Sequence, residues 1–350
     1  MRTSGGSGAL ARLAGGAVLA LLVPAGTQAA RPLPQDPGQP AKEVPLPQDH
    51  QQLETIDGEL PMPAMVDPRS VQIGEALRGR DYERAEALLL EVAAAQPQSA
   101  EALRLLGGVF FLRGRPLNAA VALKKAEAIA PLDDRSRFTL VMAYVALGHR
   151  DWARPELAKL AEAAPANALY AYWTGRLDYD EGQFASAVKG FARAIELDPR
   201  QMKAHDNLGL CYEALGRFDE AQRSWEEAIR LNAEQQGKSP WPSHNLGLLL
   251  TRLDRMDAAE ARFREALASD PRFAPAHYQL GLVLEKRGRP TEAIPEVEEA
   301  ARLDPAYADA QYALARLYRR TGDQSKADRA LLRFEEIKKQ KDVETGRAPR

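Results

Sequence analysis

Residues 203–232 read KAHDNLGLCYEALGRFDEAQRSWEEAIRLN, and this stretch decides the fold. Its Leu208-Gly209, Tyr212, Gly216, Ala221, Trp225 and Ala228 recur elsewhere in the chain at the same spacing. The most regular column is Ala85, Ala119, Ala153, Ala187, Ala221, Ala259, Ala293 and Ala327. Its interval is 34 residues throughout, except for 38 between Ala221 and Ala259. A period in this range marks stacked structural repeats rather than one globular core.

Other columns share the register. A small residue stands at Gly107, Gly175, Gly209, Gly247, Gly281 and Ala315, after Leu in every case but Gly175, which follows Thr174. A turn glycine stands at Gly114, Gly148, Gly182, Gly216, Gly288 and Gly322. A bulky column runs Leu89, Leu123, Leu157, Phe191, Trp225, Phe263, Val297 and Leu331, and is expected to fill the space between neighbouring units. Pro97, Pro131, Pro165, Pro199, Pro271 and Pro305 close units. Within a unit the apolar residues recur at helical spacing, as in Leu208, Cys211, Tyr212 and Leu215. Each unit therefore reads as two helices joined at the turn glycine. Asn118, Asp151, Asp219, Asp257, Thr291 and Ser325 are expected to cap the second helices. On that register Pro155 and Pro295 fall in first turns, where a missing N–H needs no partner.

The columns resemble the tetratricopeptide repeat, a 34-residue helix–turn–helix unit. The resemblance covers eight units: 66–99, 100–133, 134–167, 168–201, 202–235, 240–273, 274–307 and 308–341. The early Trp of the family is missing from every unit. The first unit has Gln72-Ile73 in place of Leu-Gly and no turn glycine in register; the last has Phe334 and Lys339 in place of Ala and Pro. Such departures suit terminal units, which face solvent on one side. The implied fold is all-α: a right-handed superhelical solenoid with a concave inner face. Four extra residues interrupt the register between the fifth and sixth units, and residues 232–242, NAEQQGKSPWP, demand a loop. Trp241 is read as an anchor packing on the sixth unit, with an exposed contact residue as the alternative.

The beginning of the chain has a different character. Arg2 and Arg12 precede an uncharged apolar run from Leu13 to Val23, and small residues follow up to Ala30. That order is a secretory signal, with cleavage expected after Ala29 or Ala30. The run is too short for a stable transmembrane helix. Residues 31–65 hold the pentapeptide Pro-Leu-Pro-Gln-Asp twice, at 32–36 and 45–49, and read as a Pro-rich spacer. Residues 342–350 form a polar tail.

Composition narrows the functional classes. The 350 residues carry 47 Lys plus Arg against 49 Asp plus Glu, a net charge of −2, so nothing drives the chain globally toward nucleic acid. One cysteine, Cys211, excludes an internal disulfide framework and reads as a small buried hydrophobe. No phosphate-binding glycine loop follows the signal, and no Gly-x-Ser-x-Gly elbow exists. His205, His244 and His277 fall in successive first helices, where they read as polar inner-face or surface positions rather than metal ligands. Signal, spacer, repeats and tail account for the whole length and leave nothing for a catalytic domain.

In the family that the chain resembles, first helices line the concave groove. The resemblance implies aromatic contacts at Phe111, Phe138, Tyr172, Tyr179, Tyr278 and Tyr312. It implies basic contacts at Arg104, Arg135, Arg176, Lys203, Arg252, Lys286 and Arg316, and amide contacts at Asn207 and Asn245. Aromatic residues with Arg are the composition of binding hot spots. Lys203, Asn207 and Asn245 only partly match a clamp for a terminal carboxylate, so that ligand is not assigned. The expectation is an exported, non-catalytic scaffold, periplasmic or extracellular, without cofactor or metal. Its partner is a protein or peptide, not nucleic acid or a membrane. The alternative is an assembly factor of a cell-envelope machine, acting by self-association or subunit docking.

Overall fold

A computed structural model describes residues 67–236 and 239–344. The expected signal (1–30) and spacer (31–65) lie outside the described residues, as does most of the expected tail. The described residues form sixteen α-helices and no strand. They come in pairs: α1 (Ser70–Arg78) with α2 (Tyr82–Ala95), α3 (Ala100–Leu112) with α4 (Pro116–Ile129), α5 (Asp134–Ala146) with α6 (Arg150–Ala163), and α7 (Ala168–Asp180) with α8 (Phe184–Leu197). Next come α9 (Met202–Ala214) with α10 (Phe218–Glu234), α11 (Trp241–Arg252) with α12 (Met256–Ser269), α13 (Ala274–Lys286) with α14 (Pro290–Leu303), and α15 (Ala308–Thr321) with α16 (Gln324–Glu344). Each helix packs on the helices before and after it in the chain. Odd-numbered helices also touch one another, α3 with α5, α7 with α9, α9 with α11, α11 with α13 and α13 with α15. The odd-numbered helices therefore share one face of the stack.

The glycine and bulky columns turn out to be two halves of one contact. A Cβ on Gly209 would lie 2.6 Å from the Trp225 indole, and one on Gly247 2.7 Å from the Phe263 ring. Trp225, Phe263, Phe191 and Leu123 are fully buried. The bulky residue thus seats against the small residue of its own unit. The fourth unit goes further. A Cβ on Gly190 would meet the Gly175 backbone at 2.5 Å, so α7 and α8 touch main chain to main chain.

The expected caps are the second or third residues of the helices they were meant to start. α4, α6, α8, α10, α12 and α14 begin after Arg115, His149, Gln183, Arg217, Arg255 and Arg289, none of which makes a side-chain cap. The reason is a shared residue. The Arg115 N–H reaches back to the Phe110 carbonyl at 2.9 Å, and its own carbonyl accepts from the Ala119 N–H at 3.0 Å. One residue closes α3 and opens α4, so no separate capping side chain is needed. Asp151, Asp219 and Asp257 instead lie in the first turn, where a carboxylate favours the helix N-terminus.

That shift moves two prolines inward. Pro155 and Pro295 lie inside α6 and α14, beyond the first turn, and each removes one helical hydrogen bond. Both prolines are exposed.

The four extra residues at the fifth junction are absorbed largely by helix. α10 has 17 residues against 14 for α8 and α12. Asn232 and the residues up to Glu234 are helical, as are Trp241 and Pro242; the loop is shorter than expected. Asn232 holds it by donating Nδ2 to the Ser239 carbonyl at 3.0 Å. Trp241 is the first residue of α11 and combines both readings. Its ring packs edge-on against Phe273 at 4.8 Å, yet it is 39% exposed.

Ion pairs staple neighbouring units at the turns. Arg113 and Arg115, flanking Gly114, both reach Glu86 of the preceding unit, at 2.6 and 2.8 Å. Arg287 and Arg289, flanking Gly288, both reach Glu260. The fourth unit reverses the charges: Arg154 of α6 reaches Asp178 at 2.8 Å and Glu181 at 2.9 Å.

Candidate partner-binding face

The face shared by the odd-numbered helices is where the expected contact residues fall, but not all of them are available. Phe111, Phe138 and Tyr172 are at most 1% exposed and belong to the core. Phe138 packs on Tyr170 and Trp173, and Tyr172 on Trp173 and Phe191. They cannot touch a partner in this conformation, which removes them from the surface set.

Asn207 and Asn245 are also buried, and their amides are used internally. Asn207 donates to the Tyr172 hydroxyl at 3.2 Å and to the Lys203 carbonyl at 2.8 Å. Asn245 donates to Asp206 Oδ1 at 3.0 Å across the α9–α11 junction. These amides pin successive first helices to each other, so neither stands ready for a peptide backbone.

The remaining candidates reach solvent. Arg104 pairs with Glu101 at 2.7 Å and Asp133 at 3.6 Å. Arg176 pairs with Asp180 at 3.1 Å and donates to Asn207 Oδ1 at 3.5 Å. Arg252 reaches Glu213 at 3.1 Å, and Arg316 reaches Glu285 at 2.9 Å, each bridging to the previous first helix. Arg135 and Lys203 are half-buried, and Lys286 is exposed. Tyr179 packs on Phe184 with Arg176 near its ring, Tyr278 packs on Tyr307, and Tyr312 is 51% exposed. The result is a row of guanidinium–carboxylate pairs with aromatic edges between them.

Three features went unread. Phe334 packs beside Tyr312 at 5.4 Å with the rings tilted, and Lys338 lies over its ring. Its signal was present as a departure from the Ala column of the last unit. Asp206 is half-buried between α9 and α11, and loss of hydration there pushes its carboxyl up to about 6 despite the Asn245 hydrogen bond. His244 lies among Trp241, Phe263 and Phe273, and burial pushes its imidazole down to about 4. Its Nδ1 has no hydrogen-bond partner.

The other histidines serve locally. His277 holds Glu296 at 2.7 Å, and His205 holds the Pro199 carbonyl at 3.2 Å. Cys211 is buried, and burial pushes its thiol up to about 12. Among the described residues no group of three His, Cys, Asp or Glu side chains is placed to hold a metal. No described helix is long and apolar enough to cross a membrane.

Stacked helix pairs with a solvent-reaching row of paired charges define a solenoid interaction scaffold. The comparisons give the family. Tetratricopeptide repeat models match residues 75–134, 138–199 and 244–308, residues 200–272, and residues 284–344. The chain belongs to the tetratricopeptide repeat family. It is 32% identical over 99 residues to the Hsp70-Hsp90 organising protein of Plasmodium falciparum. That match spans 28% of this chain and 37% of the relative. Among solved structures, a tetratricopeptide repeat protein from Parabacteroides merdae superposes with a TM-score of 0.54 at 16% identity, covering 69% of this chain and 93% of that one. Yeast Tom70 gives 0.50 at 19% identity, over 78% and 60%. At these identities the two structures speak for the fold alone.

Proposed function

We propose that the protein is an exported, non-catalytic scaffold that holds an extended segment of a partner protein along the face of the odd-numbered helices. The observation that supports this most is the row Arg104, Arg176, Tyr179, Arg252, Tyr278, Tyr312 and Arg316, which brings polar and aromatic groups to one side of successive units. A row with that spacing reads a chain rather than a compact molecule. Export rests on the N-terminal order of charges, apolar residues and small residues, with 31–65 as the spacer and 66–341 as the binding region.

The test is capture of envelope proteins by crosslinking with the purified chain and with a Tyr179→Ala, Arg252→Glu, Arg316→Glu variant. The variant is expected to lose at least about 30-fold in affinity for a captured partner, the scale of one hot spot. Unchanged capture would overturn the groove reading.

A second reading, assembly by self-association, is favoured by exposed apolar residues near both ends of the stack, Val71 on α1 at 63% and Leu332 on α16 at 60%. Light scattering that gives a monomer at all concentrations would remove it.

A further inference from the structure

A cavity of about 360 Å³ opens where α6 meets α7. Buried Leu157 and Leu177 form its floor, and Ala158, Ala161 and Thr174 its walls. Two departures from the repeat columns account for it. Thr174 stands where the other units from the second to the eighth carry Leu106, Leu140, Leu208, Leu246, Leu280 and Leu314. Ala161 stands in the column of Ile195, Ile229 and Leu267. Among the described junctions, only this one brings two small residues together, because every other has Leu in the Thr174 column. Helices that close only partly over missing side chains leave a cavity. It is separate from the row of paired charges. At about 100° per residue, Thr174 and Leu177 point nearly opposite to Arg176 and Tyr179 on α7. The polar groups at its mouth offer acceptors and no spare cation. Arg154 spends its terminal nitrogens on Asp178 at 2.8 Å and Glu181 at 2.9 Å. Lys159, the next cation along α6, is held by Glu156 at 3.0 Å. Exposed Glu162 makes no ion pair among the described residues. Thr174 donates its hydroxyl to the Tyr170 carbonyl at 2.9 Å, so its oxygen is left to accept.

We propose that this cavity binds a small aliphatic amine, with its chain on Leu157 and Leu177 and its ammonium between Glu162 and the Thr174 oxygen. A volume of about 360 Å³ is at the small end of ligand pockets, which suits a chain of a few carbons rather than a lipid tail. The chain replaces the aliphatic contacts that Leu and Ile supply at neighbouring junctions. The ammonium gives the unpaired Glu162 its counter-charge. A carboxylic acid of the same length would bring a second anion to Glu162, with no cation to receive it.

The experiment is titration of the purified full chain with n-hexylamine, n-hexanol and sodium hexanoate, followed by methyl NMR and calorimetry. Hexylamine is expected to saturate one site and to shift the methyl signals of Leu157 and Leu177. Hexanol should bind about twofold to fivefold more weakly, the worth of one exposed ion pair, and hexanoate more weakly still. Glu162→Gln should remove the preference for the amine over the alcohol. Thr174→Leu restores the column residue and is expected to weaken hexylamine binding at least about tenfold, because the space is taken. Ala161→Ile fills the same space from α6 and gives the same reading if Thr174→Leu does not fold. Hexylamine binding that survives the filling substitutions, or hexanoate binding as tightly as hexylamine, would overturn the proposal. Shifts that grow without saturating would do the same. None of the substituted residues is on the face of paired charges, so failure here leaves the groove reading standing.

Discussion

At the scale of single residues, the turn position shows what backbone geometry demands. The turn glycines have φ between 70° and 89°, but Arg80 and Asp254 occupy the same column at 55° and 59°. Side chains with a Cβ resist that region. Arg80→Gly and Asp254→Gly are each expected to stabilise the chain by about 1 kcal/mol, seen as a higher urea midpoint at constant slope. Close approach gives the opposite sign. Gly190→Ala must push α7 from α8, because its Cβ would meet backbone, whereas Gly209→Ala presses on one indole ring. Both should destabilise, by about 1–3 kcal/mol, with Gly190→Ala the costlier. Proton linkage acts at Asp206. Its folded carboxyl lies near 6 and an ordinary aspartate near 3.9, so the folded state holds the extra proton between those values. Stability from this group is full below about pH 4 and is lost as pH rises through 6. Asp206→Asn is expected to flatten that part of a plot of Tm against pH. An unchanged plot would show that Asp206 does not titrate there.

At the scale of elements, the prolines inside α6 and α14 carry a direct consequence. Pro295→Ala restores an N–H within α14 and is expected to raise stability by about 1 kcal/mol or more, measured by thermal or urea unfolding. The paired-arginine turns carry another. Glu260 is 3% exposed and met by Arg264, Arg287 and Arg289. Glu260→Gln should cost about 2 kcal/mol, less than the roughly 3–5 kcal/mol of a fully buried pair, because the arginines keep part of their hydration. Helix pairs and their register were legible in the sequence because the same contact recurs. Every Gly–bulky pair repeats the spacing of Gly209 and Trp225. Starts of the second helices were not legible, because residues such as Arg115 serve two helices at once and leave no capping signature. Exposure along the face was only partly legible. Phe138, Tyr172, Tyr278 and Tyr312 share one column, yet the first two are buried and Tyr312 is half in solvent. Phe138 and Tyr172 sink among the large rings of Tyr170, Trp173 and Phe191, whereas Tyr312, in the last described unit, has Phe334 at its side and stays half in solvent. What covers a residue depends on the neighbouring unit, which a column within one unit does not encode.

At the scale of the described repeats, the apolar core falls into two clusters. One runs from Ile73 to Cys211, and the other begins at Ala221 and includes Trp225. The two sets meet within the fifth unit, where Trp225 of α10 closes on Gly209 of α9 and Tyr212 packs against both. Solenoids open in blocks because each unit contacts mainly its neighbours. Native-state hydrogen exchange should therefore show opening free energies that rise from both ends of the described stack toward its middle. A single uniform opening energy across the stack would contradict this. The lone thiol adds a different kind of consequence. Cys211 is fully buried, and its thiol ionises only near pH 12. Disulfide exchange requires an accessible thiolate. The folded protein can therefore form no mixed disulfide with whatever it holds, even in an oxidising compartment. Release of a partner from the proposed binding face would therefore need no reductant.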